Sequence, residues 1–177
     1  MKLFHVLLPA AAVAALVLAP AGCKSRHRIQ TDEGGAQRMV STIHMGDPRV
    51  APQLVSGFHG IEAAAWRWTA RKFSVTLKPP TGASQRGATL VVGMTVPPVT
   101  IEKLHDITLT ASIAGNQLAP ETYNNPGDYA YKRDVPANLL GGDAVRVDFE
   151  LDKAMPPNPP DIRELGLVVL NIGLDSK

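Results

Sequence analysis

The stretch ETYNNPGDYAYKRD, residues 121–134, gathers the side chains best suited to holding a polar ligand. Tyr123 and Tyr129 carry rings that stack on the C–H face of a sugar. Asn124, Asn125 and Asp128 donate and accept in the directional pairs that hydroxyl groups require. Binding groups collect on loops carried by a rigid scaffold. The same residues also answer a plainer need: Asn-Asn-Pro-Gly is turn chemistry, with Tyr129 and Tyr131 covering one strand face. A second aromatic pair, Trp66 and Trp68, sits two residues apart in AAWRWTA. In a strand the two indoles share a face, and that face is either a stacking platform or the wall of an interior. Aromatics make up 5% of the chain, and Phe73 and Phe149 are the other large core fillers, so the interior is the expected place for both. Arg67 then faces the other way, where Glu62 can pair with it through two hydrogen bonds. Asp161 and Arg163, two apart before the last apolar run, can form a similar clasp.

Reactive groupings are missing. The chain has no Gly-x-Ser-x-Gly, His-Glu-x-x-His, Gly-Lys phosphate loop, dinucleotide fingerprint or Cys-x-x-Cys. His59 and Glu62 lie three apart and His105 precedes Asp106, but neither pair has further metal-ligand company. No enzyme, cofactor or metal is expected. A net charge of +2 gives no reason to expect nucleic acid.

The one cysteine has a different chemistry. The opening MKLFHVLLPAAAVAALVLAPAGC has a basic residue, an apolar run from Val6 to Leu18 and small residues before Cys23, the three-part pattern of a secretory signal. Ala21-Gly22-Cys23 resembles a bacterial lipobox, in which the thiol is alkylated by a diacylglyceryl group and the signal is cut at the cysteine. Pro20 stands where such boxes usually have Leu, Val or Ile. The alternative is ordinary signal cleavage that leaves a free thiol. Either way the chain is expected in the bacterial cell envelope, with lipidation placing it on the periplasmic or outer-membrane side through its acyl (palmitate-type) chains. The expected layout is a signal over 1–22, a lipidated and flexible tether over 23–56, and one domain over 57–177. RMVSTIHM inside the tether is β-capable, so an edge strand can begin before the main domain.

The elements that must carry these side chains are strands. FSVTLK sets Phe73, Val75 and Leu77 on one face; TLVVGMTV sets Leu90, Val92, Met94 and Val96 on one face. ITLTASI alternates Ile107, Leu109, Ala111 and Ile113 against Thr108, Thr110 and Ser112. VRVDFELD turns Val145, Val147, Phe149 and Leu151 inward and Arg146, Asp148, Glu150 and Asp152 outward. LGLVVLNIGL is apolar almost throughout and belongs at the centre of a sheet. With 15 Gly and 15 Pro punctuating the runs, the pattern predicts an all-β, antiparallel two-sheet sandwich without long helices.

GFHGIE, WRWT and DIRELGLVVLNI together resemble the motif pattern of galactose-binding-like, jelly-roll β-sandwich domains found beside bacterial polysaccharide glycosyltransferases. The resemblance spans roughly residues 57–174. Phe58 stands where that pattern often has Trp. It implies a jelly roll that binds sugars, lipids or proteins through loops at one end, and it implies fold more than activity. Two functions are therefore expected: a non-catalytic module for carbohydrate on an envelope lipoprotein, or a scaffold that docks another envelope protein.

Overall fold

A computed structural model describes residues 38–177. The expected signal, Cys23 and the start of the tether lie outside the described residues. The described residues form ten strands: β1 (Thr42–His44), β2 (Leu54–Glu62), β3 (Trp66–Leu77), β4 (Ala88–Val96), β5 (Ile107–Ile113), β6 (Asn116–Gln117), β7 (Glu121–Tyr123), β8 (Gly127–Val135), β9 (Val145–Leu151) and β10 (Val168–Ser176). Two short helices, α1 (Ala83–Arg86) and α2 (Pro98–Leu104), connect strands. Pro98 opens α2, where a missing N–H costs nothing.

The strands pair in the order β6-β5-β9-β3-β10-β4-β8, with β1 added to β10, β2 to β3 and β7 to β5, every pair antiparallel. Strand β3 is the joint. Its first residues pair with β10 (Trp68 opposite Val168), and Lys72 to Leu77 pair with β9. The sheet folds there into two arms that close on one core. Phe73, Val75, Leu109, Val147 and Phe149 come from one arm; Leu90, Val92, Met94, Tyr131 and Ile172 come from the other. The free ends of the arms also meet. The Tyr131 hydroxyl, on β8, donates to the Ala119 carbonyl at 2.9 Å, and Arg133 pairs with Glu121 at 2.8 Å. This is the all-β antiparallel sandwich that the alternation predicts, and β10 is flanked by β3, β4 and β1 as its apolar run requires.

One expectation changes: the domain does not start at 57, because Ile43 and Met45 are fully buried and β1 is hydrogen-bonded along β10. Residues 42–56 are therefore part of the sandwich rather than of a flexible tether, and Ile43, Met45 and Val50 join its core. Of the two readings of residues 121–134, the strand reading holds over 127–135, with β8 paired along the whole of β4. Strand β2 breaks the alternation because its register against β3 shifts three times. One shift is made at Gly57, whose φ of 75° suits glycine and whose missing Cβ lets the Lys72 carbonyl approach.

Candidate functional site

The tyrosine-rich segment crosses from β7, paired with β5, to β8, paired with β4, with Asn124 and Asn125 exposed in the turn between them. Tyr123 belongs to the core, with 3% of its surface exposed, and its ring meets Tyr129 at 4.7 Å and 53°. Desolvation pushes the Tyr123 hydroxyl well above its ordinary pKa. A ring so enclosed has no face to offer a sugar, which corrects the expected stacking role. Tyr129 is half-buried and donates its hydroxyl to the Asn125 carbonyl at 3.0 Å, and the Asn125 amide donates to Asn124 at 2.8 Å. Asp128 accepts from the Thr95 hydroxyl at 2.5 Å. These bonds hold the turn to itself and to β4, as turn chemistry would.

Trp66 and Trp68 share a face as expected and meet edge to face at 6.3 Å and 82°. Trp68 is buried and Trp66 half-buried. The interior they enter is a second one: Trp68, Met155 and Val168 form a small cluster of their own, with Leu104 and Leu165 against it. A strap, residues 153–165, closes that cluster. Met155 and Leu165 exchange backbone hydrogen bonds at 2.8 and 3.0 Å. Lys153 reaches Asp106 and the Leu104 carbonyl.

The two expected clasps become one. Arg163 grips both oxygens of Asp161, as expected, and its remaining nitrogen takes Glu62 at 2.7 Å. Glu62 therefore does not pair with Arg67. Arg67 turns inward and donates to the carbonyls of Met45 (3.1 Å) and His59 (2.9 Å), and burial lowers its pKa. Arg163 already occupies the Glu62 carboxylate, and two backbone carbonyls satisfy Arg67 in its place. Hydrogen bonds from the Arg163 side chain and backbone hold Asp161 down to about 2. A depressed carboxylate contributes above its unfolded value and loses that contribution as pH falls through about 2. Trp68 emission should therefore shift as acid releases the strap between about pH 4 and pH 2. Asp161→Asn should remove that step; an unchanged acid profile would disprove the account.

A concavity of about 640 Å³ lies elsewhere, on the outer face of β2, β3, β9, β5 and β6. Its lining follows from register. Ser56 faces Ser74, Ser74 faces Asp148, Asp148 faces Ser112, and Ser112 faces Gln117, one polar row across five strands. At about 4.8 Å per strand the row is about 19 Å long. A neighbouring row sets Lys72, Glu150 and Thr110 side by side. Ser74 is buried beneath Ser56, at 2.8 Å, and the Arg146 guanidinium, at 3.3 Å. Arg146 also pairs with Asp148 at 2.8 Å, and Lys72 with Glu150 at 3.1 Å. Phe73 and Phe149 stack beneath the rows at 4.7 Å and 11°. The groove thus offers hydroxyls, carboxylates and a guanidinium on a stiff floor. Among the described residues no three His, Cys, Asp or Glu side chains cluster as a metal site.

Sequence reasoning placed Arg146, Asp148, Glu150, Thr110 and Ser112 outward but did not join them. The available signal was chemical: on three strands the outward set holds small hydroxyls and charges with no aliphatic side chain among them.

No protein-family model matches this chain, and neither does any curated protein. Among solved structures, one titled "CBM4 structure and function" aligns over 76% of this chain and 85% of its own, at 10% identity and a TM-score of 0.32.

Proposed function

We propose that the chain is a non-catalytic module that binds carbohydrate in the groove across β2, β3, β9, β5 and β6. The observation supporting this is the polar row itself. Hydroxyl, amide and carboxylate groups repeat at strand spacing along about 19 Å, which suits the repeating hydroxyls of an extended oligosaccharide better than one small solute. Binding rests on directional hydrogen bonds, because the aromatic rings beneath the rows are enclosed. A glycan array probed with the full chain is the test. Retention of oligosaccharides over the matching monosaccharides is expected; an array with no retained glycan removes the proposal.

The proposed module is carried on an envelope lipoprotein anchored at Cys23, a reading supported by the signal pattern and the single cysteine. In cells fed a labelled fatty acid, the wild-type chain should take up label and Cys23→Ser should lose it. Equal labelling of the two would end the anchoring proposal.

A further inference from the structure

A second concavity, of about 290 Å³, opens between α2 and the strap. Trp68, Met155, Leu165 and Val99 give it apolar walls. Its polar groups divide into two sets. Asp161 and Arg163 are spent on each other and on Glu62. Lys103 and the side-chain amide of Asn158 make no hydrogen bond or ion pair among the described residues. The lining therefore combines an apolar trough with one uncommitted cation.

We infer that this cleft binds a small amphipathic anion, its apolar body laid along Trp68, Met155 and Leu165 and its carboxylate at the Lys103 ammonium. The volume admits about ten non-hydrogen atoms, at the roughly 30 Å³ that each water-sized group occupies in a liquid. Charge complementarity selects the head group. An anion gains the free ammonium, whereas a cation meets Lys103 in repulsion and finds the nearby carboxylates already engaged. The site is separate from the sheet groove and shares none of its residues.

The two tryptophans of the chain both lie at this cluster, so their fluorescence reports on it directly. The full chain titrated with octanoate, octan-1-ol and octylammonium should show a saturable change with octanoate at a concentration at least tenfold below the other two. Lys103→Gln should bring octanoate to the level of octan-1-ol, and Lys132→Gln, on β8, should leave it unchanged. Equal half-points for the three amphiphiles, no saturable change, or wild-type octanoate binding by Lys103→Gln would each overturn the inference. A concentration-dependent dimer that Val99→Glu dissolves would also overturn it, since the cleft would then be a contact between copies. Should Lys103→Gln fail to fold, octanoate displacement from a Val99→Phe variant, which narrows the trough, gives the same decision: undiminished binding overturns the assignment.

Discussion

Phe73→Ala should destabilise the domain by about 3–5 kcal/mol, a large share of the 5–15 kcal/mol that separates typical folded and unfolded states. Phe73 has 1% of its surface exposed and stands directly opposite Phe149, with the two rings stacked. Phe58 meets the same ring edge-on at 5.4 Å and 73°. Truncation removes the buried ring area and leaves a cavity walled by β3 and β9, two paired strands with little room to collapse. Aromatic pairing adds about 0.5–1.5 kcal/mol, which a double-mutant cycle with Phe149→Ala isolates. Urea titration of the single variant is the measurement. A loss below about 1.5 kcal/mol would contradict the packing described, because the ring would then have little contact to lose.

The same strand shows what a single sequence makes legible. Counting by twos from Phe73 finds Val75 and Leu77 beside it in the main core, and it puts the even-numbered Trp66 and Trp68 on the opposite face. The structure gives those indoles a separate cluster, as parity demands. That this face is dry depends on the strap, which arrives from about ninety residues downstream, and no local pattern announces it. Strands β4, β5, β9 and β10 were readable for a similar reason: burial on one side imposes a period of two, or a continuous apolar run where both sides are covered. β8 was half visible: Tyr129 and Tyr131 cover one strand face, but the turn residues before them left its start and length open. β2 was hidden because its bulges break the period.

Site residues divide along the same line. The Asp161–Arg163 clasp spans two residues and was legible, while the arrival of Glu62 depends on a contact across the fold. Tyr123 was misplaced because its composition suits a ligand as well as it suits a core. Burial decides between the two, and burial comes from the meeting of the sheet's two ends. The groove needed the register of five strands, which no strand carries by itself.

Asp148→Ala should weaken oligosaccharide binding about tenfold to a hundredfold while leaving the fold intact. Asp148 lies at the middle of the polar row, between Ser74 and Ser112, so a chain laid along the row must pass its carboxylate. A hydrogen bond to a charged acceptor is worth about 1.5–3 kcal/mol, which sets the expected range. Stability should hardly change, because the Arg146–Asp148 pair is exposed, and such pairs contribute at most about 1 kcal/mol. Asp148→Asn keeps one acceptor and should fall between the wild type and the alanine variant. Asn125→Ala, in the turn between β7 and β8, separates the groove from the loop reading. If Asp148→Ala retains glycan at wild-type affinity while Asn125→Ala loses it, the ligand sits on that turn. The row would then be only a solvated sheet face whose ion pairs satisfy one another.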